Sequence, residues 1–79
     1  MNFLPGRIAV ESDTCGGRPF FKGTRIPVYV VLEMLTNRET WEDVSEAFPD
    51  LTQQDLHDSL EYAKNLAEMP RQHVAIAHA

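Results

Sequence analysis

Ile8 and Val10 fall on one side of the chain and Ala9 on the other, an alternation that predicts a short β-strand over residues 7–11. A polar loop follows over residues 12–17, closed by Gly16 and Gly17. Residues 19–26 read as extended, with Pro19 suited to a strand start or edge and Gly23 to a bend or bulge. Together the two apolar stretches predict a small β-ribbon.

From Val28 the period changes to that of a helix. Val28, Val31, Leu32 and Leu35 share one face, and Pro27 precedes them where its missing N–H has no partner to lose. The β-branched residues at positions 28, 30 and 31 lower helix propensity, so burial must hold this helix, and Asn37 is placed to cap its end in a left-handed conformation. Thr40 predicts a second N-cap, with Asp43 at the third helical position reaching back in a capping box. Trp41, Val44, Ala47 and Phe48 form the apolar face, and Pro49 stops the helix. Thr52 caps a third helix, stapled by Leu51 against Leu56. Its predicted stripe runs through Leu56, Leu60, Ala63, Leu66 and Ala67 to about Met69, and Pro70 closes it.

A tight turn between the second and third helices matches a helix-turn-helix, and the preceding helix and ribbon extend the pattern to a three-helix, winged-helix-like or homeodomain-like domain. The expected fold is mainly α with a small β-ribbon. Residues 1–69 form that domain and residues 70–79 a tail, in which Val74 and Ile76 alternate without any turn chemistry behind them.

Length limits what this core can do. A chain of 79 residues buries only ~60–65% of its unfolded surface, which favours an oligomer or a complex. The single Cys15 excludes an internal disulfide, and the opening apolar run is too short for a signal peptide or membrane span, so a reduced, cytoplasmic protein is expected.

The net charge of −5 is unevenly spread: residues 1–38 carry +2 and residues 39–79 carry −7. This polarity suits steering of a charged partner, and the acidic half has the wrong sign for unaided nucleic-acid binding.

The candidate chemistry is sparse. Residues 17–24 resemble a phosphate loop only superficially, because Lys22 precedes Gly23 where the Walker order needs the reverse. Cys15, His57, His73 and His78 lack metal-ligand spacing, and Cys15 reads as a small buried residue. Glu11, Asp13 and Lys22 could in principle form a metal-dependent nuclease site, carboxylates holding a divalent ion beside a cation, but nothing in their spacing requires it and a solvated strand end and loop explain the same residues. No nucleophile has a base nearby; no catalytic residue, metal or cofactor is expected.

Gln53, Gln54, His57 and Asp58 are the polar positions with which a recognition helix would read bases, whereas Asp55, Asp58 and Glu61 would repel phosphates. Arg18, Lys22 and Arg25 make the sharper case: three cations within eight residues, on a glycine-rich segment able to approach another surface closely. Arg25 has a structural alternative, a tie to Asp50 or Glu46.

Gly16-Gly17-Arg18-Pro19, Lys22-Gly23-Thr24-Arg25-Ile26-Pro27-Val28, Trp41-Glu42, Phe48-Pro49-Asp50-Leu51-Thr52 and Leu60-Glu61-Tyr62-Ala63 resemble, in order, the domain-of-unknown-function 433 family. The resemblance covers about residues 7–67, with Gly16, Gly17, Gly23, Thr24 and Pro27 in its turn motif. It departs at Asn37 and Arg38, where the family usually has glycine. It implies a helix-turn-helix or winged-helix-like domain, often dimeric, of the kind described as VapB-like antitoxins. Such proteins pair with a PIN-like ribonuclease toxin that needs a divalent metal.

The function expected on these grounds is that of a non-enzymatic antitoxin that neutralises such a toxin and, as a complex, binds operator DNA. Arg18, Lys22 and Arg25 would make the toxin contact and Gln53, Gln54 and His57 any DNA contact. A lone DNA-binding regulator is the alternative, and a plain interaction or dimerisation module the third. A neighbouring PIN-like reading frame would separate the first from the others.

Overall fold

The computed structural model of the protein describes residues 4–68. The predicted tail over residues 70–79, with His73 and His78, and the closure of the third helix at Pro70 lie outside the described residues. Two short strands, β1 (Ile8–Ala9) and β2 (Phe20–Phe21), precede three helices, α1 (Val28–Thr36), α2 (Trp41–Ala47) and α3 (Gln53–Glu68). The fold is mainly helical, with a small antiparallel ribbon in which Ile8 lies opposite Phe21 and Ala9 opposite Phe20. α1 packs against both α2 and α3.

One apolar cluster unites these elements. Phe21, Val31 and Val44 are completely buried, and Ile8, Val28, Leu51 and Leu56 complete the core. Each fully buried side chain of this size contributes ~1.5–3 kcal/mol over its exposed state. Phe20 is also buried, outside that cluster, as expected of the neighbouring residue on a strand covered on both faces.

The ribbon is shorter and more folded than its sequence pattern predicts. β1 ends at Ala9 because residues 11–14 turn, with the Thr14 N–H donating to the Glu11 carbonyl, and Val10 is left half exposed. Residues 19–26 do not run on as one extended segment. The Phe21 N–H donates to the Ile26 carbonyl, Phe20 bridges to Pro27, and the Val28 N–H donates to the Pro19 carbonyl. Residues 22–25 are therefore the tip of a second tight hairpin. Thr24 staples that tip: its hydroxyl donates to the Phe21 carbonyl at 2.7 Å and accepts from the Ile26 N–H at 3.0 Å. Gly23 supplies the left-handed residue at φ 82°, where a Cβ would be strained.

Helix signals divide into those realised and those displaced. The Thr40–Asp43 capping box forms in full, with the Asp43 N–H donating to Thr40 Oγ1 and the Thr40 N–H to Asp43 Oδ2. Ala47, expected on the α2 apolar face, is exposed. On α3 the buried side is Asp55, Leu56, Asp58 and Ser59, while Leu60, Leu66 and Ala67 are exposed. The predicted stripe is thus rotated by about one residue, or about 100°. Burial of two aspartates was invisible to a hydrophobic pattern, because each is satisfied by a polar partner, Asp55 by Arg7 and Asp58 by Gln54.

At the end of α1, Asn37 keeps φ at −89° and Arg38 takes the left-handed position at φ 70°, contrary to the expected Asn37 cap. The Glu39 N–H donates to the Met34 carbonyl and the Arg38 N–H to the Leu35 carbonyl, a Schellman closure that places Arg38 where glycine is favoured. A non-glycine residue there carries a cost of roughly 1–2 kcal/mol. Arg38→Gly should accordingly raise stability by about 1 kcal/mol, allowing for the looser unfolded chain. A denaturant midpoint that stays put or falls would contradict this assignment.

Candidate interaction surface

Arg7 fixes the ribbon to the helical body. Its Nε donates to Asp55 Oδ1 at 3.1 Å and its Nη2 to Asp55 Oδ2, a bidentate pair across 48 residues. Nη1 donates to the Lys22 carbonyl at 3.0 Å and Nη2 also to the Asp50 carbonyl at 3.3 Å. One planar guanidinium thus joins β1, the hairpin tip and the turn entering α3, a task its five fixed donors suit. Asp55 is itself the third-position acid of a second capping box. The Thr52 N–H donates to its Oδ2 at 2.8 Å, and its own N–H donates to Thr52 Oγ1 at 3.1 Å.

The Asp55 carboxyl is held below the usual carboxylate range, chiefly by the Arg7 hydrogen bonds; burial opposes this, and the Thr52 N–H reinforces it. The same pair raises the Arg7 pKa from an already high value.

Beside this node the N-terminal strap crosses α3. Gly6 has φ 59°, and a Cβ there would lie 1.9 Å from Asp58 Oδ2, so only glycine allows the crossing. Asp58 is buried and accepts from Gln54 Nε2 at 3.0 Å; His57 Nδ1 lies 3.6 Å from its Oδ1. Asp55 and Asp58 therefore do not face outward, as a phosphate-repelling role required, while Gln53, Gln54 and His57 are exposed on the first turns of α3.

Arg18, Lys22 and Arg25 are all exposed, and among the described residues none has a carboxylate within ion-pair distance. The tie considered for Arg25 is made by Arg7 instead, to Asp55 and to the Asp50 carbonyl rather than to an Asp50 or Glu46 side chain. Arg25 contributes only its carbonyl, which accepts from Cys15 Sγ at 3.4 Å. Cys15 is half-exposed rather than buried and takes φ 52°, next to Gly16 at 67°, in a single 3₁₀ turn (Cys15–Gly17). Glu11 and Asp13 both accept from Thr14 Oγ1, and among the described residues no three His, Cys, Asp or Glu side chains gather as a metal site.

The three cations occupy the two ends of the ribbon. Lys22 and Arg25 flank the hairpin tip, held through Arg7 to the N-terminal turn of α3. Arg18 lies with its guanidinium carbon 5.3 Å from the centre of the Tyr29 ring. There it lines an open groove of about 400 Å³ with Pro19, with Val28, Tyr29 and Leu32 of α1, and with Tyr62 and Leu66 of α3. Asp55 and Leu66 are eleven residues apart on α3, about 16 Å along its axis.

Ribbon, helix, tight turn and helix define a small mainly helical domain that displays cations from a hairpin pinned to its body. The chain belongs to the family described as Protein of unknown function (DUF433), whose profile matches residues 8–63. No curated protein and no solved structure matches it. The matched segment starts at β1 and ends within α3, so it contains Asp55 and the hairpin tip but neither Arg7 nor Leu66.

Asp55 could have been found from sequence, since Thr52-x-x-Asp55 repeats the spacing of Thr40-x-x-Asp43. Arg7 carried no local signal. Loss of the carboxylate in Asp55→Asn should cost about 2–3 kcal/mol at pH 7, less than the ~3–5 kcal/mol for breaking a fully buried pair, because the Arg7 side chain is 40% exposed. A depressed folded-state pKa gives stability that is fully present above the unfolded value near 3.8 and is lost as pH falls through the folded value. Denaturant melts from pH 7 to pH 2 should show the gap between wild type and variant narrowing below about pH 4. A gap independent of pH would assign the loss to something other than this charge.

Proposed function

We propose that this protein is a non-enzymatic antitoxin of a type II toxin–antitoxin pair, which binds and neutralises a PIN-like ribonuclease in the cytoplasm. The supporting observation is the hairpin tip: Lys22 and Arg25 stand exposed beside Gly23, without carboxylate partners among the described residues, while Arg7 holds the tip from behind. The family resemblance supplies the partner's chemistry, a cluster of carboxylates that holds Mg²⁺. A rigid cationic tip fits such a cluster in sign and reaches it with little ordering cost, because its backbone is already fixed. Arg18 extends the basic edge toward α1, and operator binding belongs to the assembled complex.

The reading expects a neighbouring reading frame for a PIN-like ribonuclease, and the decisive measurement is a ribonuclease inhibition titration with that protein. Wild type should form a stoichiometric inhibitory complex. Lys22→Glu, Arg25→Glu should weaken it by several kcal/mol if the charges meet at a desolvated contact. The variant's own melt should move by less than ~1 kcal/mol, as expected for exposed charges. Full inhibition by the folded double variant would remove the hairpin tip from neutralisation.

One observation favours a second reading, a regulator that binds DNA by itself: burial of Asp55 and Asp58 removes two carboxylates from the helix face bearing Gln53 and His57. Few cations remain to release counterions, so the chain alone should bind duplex DNA only at the non-specific level of ~10⁻⁴–10⁻⁶ M at physiological salt. Fluorescence anisotropy checks this, and a nanomolar, sequence-specific complex would establish the regulator in place of the antitoxin.

A further inference from the structure

The groove between α1 and α3 is unused by the hairpin tip, and its composition points to an occupant. Tyr29 and Leu66 are 48% and 45% exposed, a large apolar outlay for so small a domain. Tyr29 and Leu32 are spaced i,i+3 on α1, and Tyr62 and Leu66 i,i+4 on α3, so two helical ridges face one trough floored by the buried Val28. Such a trough takes a third helix that lays its own apolar row between them. The polarity of the rim then selects among helices. Among the described residues Arg18, lying 5.3 Å from the Tyr29 ring centre, is the one cation lining the groove, and none of their carboxylates pairs with it. Packing over the ring restricts its side chain while leaving guanidinium donors for a bidentate carboxylate contact.

We propose that this groove is a second docking site, which receives the apolar face of an acidic amphipathic helix from the partner protein and sets one of its carboxylates on Arg18. The proposal deepens the antitoxin reading and rests on it for the identity of the partner, a helix of the PIN-like ribonuclease; the chemistry of the occupant rests on the groove alone. With the hairpin tip it gives a two-point contact, in which the groove supplies apolar area and the tip supplies charge.

Two synthetic helical peptides test the chemistry directly, one with a leucine face flanked by glutamates and the other with the same face flanked by lysines. Titrated into the isotope-labelled full chain, the glutamate peptide should shift the amides of Tyr29, Leu32 and Leu66 and bind at least about tenfold more tightly than the lysine peptide. Arg18→Glu should reverse that order. Equal binding of both peptides, or shifts elsewhere on the surface, overturns the proposal. In the ribonuclease complex, Leu66→Ser should weaken affinity by about tenfold or more with an unchanged melt, since Leu66 is half exposed in the free chain. Wild-type affinity in Leu66→Ser overturns the groove as a toxin contact and leaves the antitoxin reading standing. Failure of wild type to bind the ribonuclease at all overturns the antitoxin reading and the named partner together, while the peptide titration still decides the groove. A homodimer that Leu66→Ser dissociates in sedimentation would assign the groove to a second copy of the chain and overturn the proposal.

Discussion

A single ion pair, Arg7 with Asp55, carries the geometry of this domain. The ribbon has only two residues in each strand, and two-stranded ribbons are at best marginal in water without packing behind them. Phe21 and Ile8 provide that packing, but apolar contact is non-directional and leaves the hairpin free to pivot. The guanidinium removes this freedom, because its donors satisfy a carbonyl of the tip, a carbonyl of the inter-helix turn and both oxygens of Asp55. The acid is in turn locked into the first turn of α3 by Thr52, so orientation passes from a helix cap to a cationic loop through four named groups.

The fold was legible wherever its signals were local. Pro27 at a helix start, the Thr40–Asp43 box and the Leu51 and Leu56 positions all depend on residues within a few places of one another, and all were realised. Signals that depend on distant or polar partners were not legible. Burial of Asp55 followed from Arg7, 48 residues away; Asp58 is satisfied more locally, by Gln54 one turn before it, through a polar contact that a hydrophobic pattern does not register. The C-terminus of α1 shows the same limit at short range: Asn37 tolerates a left-handed conformation, yet Schellman geometry assigned it to the next residue. Of the candidate site, the sequence left Arg25 open between a tie and a surface contact; its exposure, and the division of the three cations between two ends of a ribbon, required the hairpin that Thr24 closes.

This division also recasts the meaning of the charge asymmetry. A basic half and an acidic half suggest two opposed faces, but one basic residue is consumed internally and one acidic residue is buried with it. Of the basic half, the cations left outside are those of the hairpin edge, together with Arg38 at the far end of α1. Charge count therefore indicated the sign of a partner, while only geometry indicates where that partner would touch.

Because its two halves lie 48 residues apart, the pinning contact cannot exist on a ribosome until most of the chain has emerged. Closing a loop of that length also carries an entropic cost that grows with the logarithm of its length, so the hairpin tip gains its support late. A product truncated before α3 would carry Lys22 and Arg25 in its sequence but no post to hold them against. Correct presentation of the basic tip is in this sense a report that translation of the domain has been completed.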